Sequence, residues 1–214
     1  CSSLVNRQEF GFSHQDVVLT YVGRLAPEKN LPLLLRAFRG VASAYDHARL
    51  LLVGDGPEKD NLLDSAANMG IADKVHFTGM VPHPEVPCYM TTADAFVISS
   101  TSETFGISVV EAMAAGLPVL GIDSPGIRDI IVDGKTGFLA ADDLASFTAK
   151  MARLVSEHEL RHQMSVAAFN ASQAYDIRTI TQSLIQQYQN LIDSRLSRKN
   201  SWRFRINRFL DYWR

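Results

Sequence analysis

Between residues 95 and 118 the hydrophobic pattern changes period, and that change constrains the fold more than any other feature of the chain. The continuous apolar run at 95–98 reads as a short buried strand. After a polar loop, Ile107, Val110, Glu111 and Ala114 follow helical spacing, and Gly116-Leu117-Pro118 stops the helix before the next apolar run. A strand, loop, helix, strand unit of this kind belongs to a parallel sheet. In an open parallel sheet, the loop leaving a strand's carboxyl end and the amino end of the next helix face a ligand crevice, so chemistry is expected at 102–108. A helix amino terminus there presents unbonded N–H groups and the positive end of its dipole to an anion. Glu103 lies just before that terminus, and Glu111 lies eight residues on, roughly a turn and a half into the helix. A carboxylate beside an anion is repelled unless hydroxyls donate to it. Two carboxylates flanking such a site therefore suit a ligand that carries hydroxyls on a phosphate, as a sugar nucleotide does.

The same alternation runs through most of the chain. Apolar runs predict strands at 17–22, 49–53, 75–78, 95–98, 118–122 and 138–140, with a helix at 31–44, another after the 54–57 turn, and a short one holding Val86, Tyr89 and Met90. Two or three helices are predicted beyond the last strand, at about 142–155, 157–174 and 176–196, their apolar positions reading as core. The fold class is α/β: a Rossmann-like parallel sheet of about six strands flanked by helices, with helices at the C-terminal end. Residues 1–16 are polar and irregular, with Phe10 and Phe12 as docking points. After the first strand, Gly23 permits close backbone approach, and Arg24 and Lys29 bring two cations to the same crevice. Gly54-Asp55-Gly56-Pro57 is a tight turn after the second strand. It lacks the third glycine of a dinucleotide fingerprint, and no Walker A lysine pattern occurs, so an NAD or P-loop site is not expected. Asp94 reads as a structural cap and His83 as an exposed loop histidine.

Composition narrows the function classes. At 214 residues and 46% hydrophobic, the chain can bury one α/β core. No run approaches the ~18 consecutive apolar residues of a membrane span, and residues 1–10 hold no apolar export signal. Cys1 and Cys88 are too few for a disulfide framework, so a reducing, cytoplasmic setting is expected. With no Asp-x-Asp triplet and no His/Cys/Asp cluster at ligand spacing, no metal or other cofactor is expected. Net charge is −2, yet from Arg195 onward seven Arg or Lys stand against one acid, a net +6 that leaves −8 on the rest. Basic charge confined to a tail argues against nucleic acid as a partner. Glycoside hydrolysis also uses two carboxylates, but it needs them facing across a bond and needs no phosphate-binding cations.

Glu103-Thr-Phe-Gly-Ile-Ser-Val-Val-Glu111, followed by Ala-Met-Ala-Ala-Gly-Leu-Pro, resembles the E-x7-E signature of retaining GT-B glycosyltransferases of the family 4 type. That family includes sucrose and glycogen synthase-like enzymes and mannosyl and lipid glucosyltransferases. The likeness covers about the first 190 residues and concerns the family's C-terminal, donor-binding half. It implies residues 1–16 as interdomain linker, 17–194 as a nucleotide-sugar-binding domain, and an N-terminal GT-B half, outside this sequence, as the acceptor-side partner. It also implies roles. Arg24 and Lys29, in a loop similar to the family's G-R-x4-K-N/G, would hold the donor diphosphate and, with Glu103, carry catalysis. Glu111 would accept from the ribose hydroxyls and Glu103 from those of the transferred sugar. The backbone at Thr104, Phe105, Gly106 and Ile107 would cover phosphates and sugar, Val81 would meet the base through its backbone, and Gly56 either borders the nucleotide or only turns the chain. The nucleotide sugar, expected to carry UDP, is substrate rather than cofactor, and no metal is required.

Pro125-Gly126 and Asp129 stand where the commonest pattern has a Gly-Gly pair before a glutamate, a departure resembling members that glycosylate diacylglycerol-type lipids. The tail at 195–214 adds to that. On a helical wheel Trp202, Ile206, Phe209, Leu210 and Trp213 fall within about a 100° arc, with Arg203, Arg205, Arg208 and Arg214 outside it. Such a stripe suits the headgroup boundary of an anionic bilayer, and equally suits packing onto the N-terminal half. The departure at 125–129 inclines the reading toward a peripheral membrane enzyme with a lipid acceptor. The alternatives are a polysaccharide acceptor and a binding module without activity of its own.

Overall fold

The computed structural model describes residues 5–210, with side chains through Arg195. The chain divides into two compact units, 1–172 and 173–214, and each is considered by itself. In the first, six parallel strands, β1 (Val17–Val22), β2 (Ala48–Val53), β3 (Val75–Gly79), β4 (Ala95–Ile98), β5 (Val119–Ile122) and β6 (Gly137–Ala140), form one sheet in the order β3-β2-β1-β4-β5-β6. The order reverses between β1 and β4, which pair through Leu19 with Ala95 and Thr20 with Phe96. A crevice opens at the carboxyl ends of strands flanking such a reversal. The loops at 23–30 and 99–106 therefore meet there.

The helices are α1 (Leu31–Ala44), α2 (Lys59–Asn68), α3 (Val86–Met90), α4 (Ile107–Ala114), α5 (Pro125–Arg128), α6 (Leu144–Ser156) and α7 (His158–Ser172) in the first unit, and α8 (Ile177–Leu210) in the second. The expected α/β class and strand number hold. Leu31, Leu34, Leu35, Phe38 and Val41 recur at three- and four-residue spacing on α1, and all are buried. They join Leu19, Tyr21, Leu50, Leu52, Val97 and Leu120 from the sheet, and Phe147, Met151 and Leu154 from α6, in one core. The alternate strand residues Val18, Thr20, Phe96 and Ile98 are equally buried, as a parallel sheet covered on both faces requires. Truncating Leu34 there would cost about 2–5 kcal/mol.

Several boundaries differ from expectation. Pro118 has no N–H to donate, so β5 begins at Val119, while the Pro118 carbonyl accepts from the Phe96 amide at 2.9 Å. The expected loop after β5 holds a helical turn, α5, with Pro125 preset for its first position. The expected helix at 176–196 continues to Leu210, since neither Gly nor Pro interrupts the run. Its apolar positions were expected to be core, yet Ile177, Leu184 and Leu191 are 72%, 48% and 60% exposed. The side chains that define the tail's stripe, beyond Arg195, and Cys1 of the cysteine pair lie outside the described residues. Among the described residues, no helix is long and apolar enough to cross a membrane.

Residues 7–10, expected to be irregular, form a 3-10 turn capped reciprocally by Asn6 and Glu9. Phe12 is buried, and the Phe10 ring lies 4.9 Å from His76 and 5.9 Å from Tyr89. Asp94 has the structural role expected of it. Its carboxylate accepts from the Val18 amide at 2.8 Å and pairs with Arg7 at 3.0 Å, tying this segment to the start of β1.

Candidate functional site

Three strand-end loops are laced together by their main chains. The Gly23 amide donates to the Val53 carbonyl at 3.0 Å, Leu25 to Asp55 at 2.9 Å, Glu58 to Leu25 at 3.0 Å, and Gly54 to Gly79 at 3.1 Å. This approach explains the glycine at 54: with φ at +137°, a Cβ there would sit 2.0 Å from the Gly23 carbonyl oxygen. Gly56 lies against the Leu25 carbonyl, and its amide donates to its neighbour Asp55 at 2.8 Å. That bond, with Lys59 beside it, holds the Asp55 carboxyl below the usual carboxylate range. Beyond these loops opens a cleft of about 360 Å³, with apolar walls from Val22, Val53 and Val86 and with Arg24, Val81 and His83 at its edge. The size and the apolar lining suit a flat organic group such as a nucleobase.

The cation-bearing side of the crevice is positioned from beneath. Arg24 is exposed at the cleft, and its carbonyl accepts from the Tyr21 hydroxyl at 2.9 Å. Burial, and then the nearby charges of Glu103 and Glu28, push the Tyr21 phenol well above its ordinary pKa, so it stays a donor. At the end of β4, the buried hydroxyls of Ser99 and Ser100 donate to the carbonyls of Lys29 and Glu28 at 2.8 Å and 3.2 Å. Lys29 thereby faces the loop after β4, where its Nζ lies 2.7 Å from Glu103 Oε1. Both side chains are mostly covered, at 24% and 16% exposed.

Glu103 sits in a loop that is otherwise exposed, with Thr101, Ser102, Thr104 and Phe105 all open to solvent. Its backbone rests on α5: a Cβ at Gly126 would meet the Glu103 carbonyl oxygen at 2.0 Å. Gly126 therefore makes room for this loop, a packing reason for the second glycine of the commoner Gly-Gly pair being present here. Gly106 caps α4 without a side-chain hydrogen bond, and Ile107, at its first position, is 61% exposed. An open helix amino end thus adjoins the Lys29–Glu103 pair, a favourable place for an anion. Glu111, one turn further along α4, keeps its side chain 34% exposed and lies 3.3 Å from His83 Nε2. Arg128 and Asp123 pair with each other at 2.6 Å. Among the described residues, no group of three His, Cys, Asp or Glu could hold a metal ion.

The structure thus brings the sequence-predicted residues to the strand-end loops in three clusters: Gly23, Arg24 and Val81 around the cleft, with Gly56 turned against Leu25 rather than lining it; Lys29 with Glu103; and Thr104, Phe105, Gly106, Ile107 and Glu111 at the start of α4. Sequence reasoning missed Tyr21, Ser99 and Ser100, which hold the carbonyls of the cationic loop. Tyr21 reads there as a strand residue and the two serines as the start of a polar loop, and nothing marks the serine hydroxyls' partners some 70 positions away. It placed His83 correctly as exposed but did not foresee its contact with Glu111.

The family described as Glycosyl transferases group 1 matches residues 3–171. The chain belongs to this family. Among group 1 relatives, it is 36% identical over 133 residues to the alpha-monoglucosyldiacylglycerol synthase of Streptococcus pneumoniae, covering 62% of this chain and 30% of that protein. It is also 36% identical over 168 residues to the sulfoquinovosyl transferase SQD2 of Arabidopsis thaliana, covering 77% of this chain and 31% of that one. The chain thus spans about a third of the length of these two relatives. The crystal structure of Anabaena Alr3699/HepE in complex with UDP and glucose superposes with a TM-score of 0.76 at 26% identity, over 86% of this chain and 51% of that one. The likeness supports the Rossmann-like reading of the six-stranded sheet.

Proposed function

We propose that this chain is the donor-binding half of a retaining glycosyltransferase, and that it holds a UDP-hexose for transfer to a lipid acceptor of the diacylglycerol type. One observation carries the reading: the Lys29–Glu103 pair, 2.7 Å apart, sits between a nucleobase-sized cleft and an open helix amino end. The base would lie in the cleft by Val81, the ribose hydroxyls on Glu111, the diphosphate between Arg24, Lys29 and the α4 amino end, and the hexose hydroxyls on Glu103. Breaking the bond from the anomeric carbon to the diphosphate leaves an oxocarbenium-like sugar and adds negative charge to the leaving oxygen. Arg24 as a fork, Lys29 as a point charge and the preset amides of α4 stabilise that charge as it develops. The acceptor hydroxyl then attacks the face the diphosphate vacates and passes its proton to the departing diphosphate oxygen, so the new bond retains configuration. No metal enters this scheme, because cations of the chain supply the charge. The acceptor site belongs to an N-terminal GT-B half, so residues 17–194 alone bind donor without turning it over.

The diacylglycerol-type acceptor is supported by the named activity of the pneumococcal relative and by Pro125-Gly126. It is supported too by the basic, tryptophan-bearing tail, placed here on the anionic cytoplasmic face of a membrane. Titration calorimetry of the chain with UDP, UDP-glucose and GDP-mannose tests the donor. UDP and UDP-glucose are expected to bind more tightly than GDP-mannose, and heats absent for all three would overturn the reading. Co-sedimentation with phosphatidylglycerol-containing vesicles tests the tail. The full chain is expected to pellet at low salt and a chain truncated after Ser194 to stay in solution; equal, salt-insensitive recovery of both would remove the membrane role.

A further inference from the structure

We propose that His83 is a positioning residue that sets Glu111 for ribose, and so gives this chain selectivity for ribonucleotides over 2′-deoxyribonucleotides. The inference rests on the donor reading above and assigns a role to a side chain that reading does not use. His83 opens the turn after β3, at His83–Glu85, whereas Glu111 lies on α4, and the two elements bring His83 Nε2 to 3.3 Å from Glu111 Oε1. The imidazole is 85% exposed. It therefore gains almost nothing by packing, and the Glu111 carboxylate is the charged group it meets. Prolines on both sides limit the backbone states of this turn, Pro82 holding φ at −57°. With two side-chain torsions on a proline-restricted turn, the histidine is the stiffer partner, and the three-torsion glutamate side chain is the one being oriented.

His83 Nε2, 3.3 Å from Glu111 Oε1, faces one of about four acceptor sites on that carboxylate. Oε2 and the remaining lone pair of Oε1 stay available. Vicinal hydroxyls, such as those at the 2′ and 3′ carbons of ribose, can each donate to one of them. His83 also lines the cleft beside Val81 and Arg24, so a base seated there carries its ribose past the His83–Glu111 contact. Without the imidazole, Glu111 is free to rotate to solvent, and the second of its two ribose bonds is the one lost.

Calorimetry on the full chain compares UDP with 2′-deoxy-UDP for the unaltered protein, His83→Ala, His83→Gln, Glu111→Ala and the His83→Ala/Glu111→Ala double variant. The unaltered chain is expected to favour UDP by tenfold or more. His83→Ala should cut that preference at least threefold, and His83→Gln, which keeps an N–H donor, should restore part of it. Glu111→Ala should abolish the preference, and the double variant should match Glu111→Ala. Because His83 is so exposed, thermal unfolding of its variants should coincide with that of the unaltered chain. A preference lost in Glu111→Ala but intact in His83→Ala overturns the role of His83 alone, as does equal binding of both nucleotides by the unaltered chain. Failure of the unaltered chain to bind UDP overturns instead the donor reading on which the inference rests.

Discussion

The two loops that meet at the sheet's reversal are built in opposite ways. In the loop after β1, the carbonyls of Arg24, Glu28 and Lys29 are each taken by a buried hydroxyl, from Tyr21, Ser100 and Ser99, and the amides of Gly23 and Leu25 are bonded to the neighbouring loop. The loop after β4 is exposed from Thr101 to Phe105 save for Glu103, and the Ser102 amide reaches Ser100 Oγ at a long 3.4 Å. Cations held by a satisfied backbone need not reorganise when charge develops beside them. A carboxylate carried by an otherwise exposed loop can instead adjust to the hydroxyls of one sugar once Lys29 turns to the diphosphate. In the proposed reaction the diphosphate is the constant part of the donor and the hexose the variable part, and the loops divide between them accordingly.

The sharpest way to break this contrast is to disturb the laced side. Gly54→Val puts a branched Cβ 2.0 Å from the Gly23 carbonyl at a φ of +137°, and should cost ~3 kcal/mol or more in urea unfolding, together with UDP binding. Thr104→Val, in the open loop, should stay within ~0.5 kcal/mol. Comparable losses would show that both loops are equally constrained. Next in size is the cationic pair itself. Lys29→Met and Arg24→Ala should each weaken UDP by ~1.5–3 kcal/mol, the range for hydrogen bonds to charged groups, with little change in stability. Unchanged calorimetric affinity in both variants would remove these residues from the diphosphate site.

Much of this site is legible in the sequence because it depends on local pattern. The period change at 95–118 places Glu103 and Glu111, and strand-end position places Arg24 and Lys29, since a parallel sheet turns one end of every strand toward the same crevice. What stays hidden is long-range pairing. Ser99 reads as the start of a polar loop, and only the fold shows that its hydroxyl meets the Lys29 carbonyl. His83 lies far from Glu111 along the chain and carries no spacing signal, so its contact appears only once β3 and α4 are placed. The end of α8 is a different failure. The run up to the expected stop at 196 and the amphipathic tail beyond it are one continuous helix, because no Gly or Pro separates them.

The smallest expected effect is also the most discriminating. Glu103→Gln keeps the shape of the side chain and its capacity to hydrogen-bond a sugar hydroxyl, but removes its charge. Two consequences for UDP follow, and both are favourable. Lys29 is released from a pair at 2.7 Å, and a negative charge beside the diphosphate disappears. Because both partners of that pair remain partly solvated, the gain is bounded by ~1 kcal/mol, so UDP should bind up to about fivefold more tightly. UDP-hexose should instead bind less tightly relative to UDP, because the bond from the hexose hydroxyl changes from charge-assisted to neutral, a loss of ~1 kcal/mol. The ratio of the two affinities, measured side by side, separates the roles of the two loops without relying on either absolute value. If Glu103→Gln weakens UDP as much as Lys29→Met does, the pair is a fixed brace between the loops rather than a contact that opens to admit the donor.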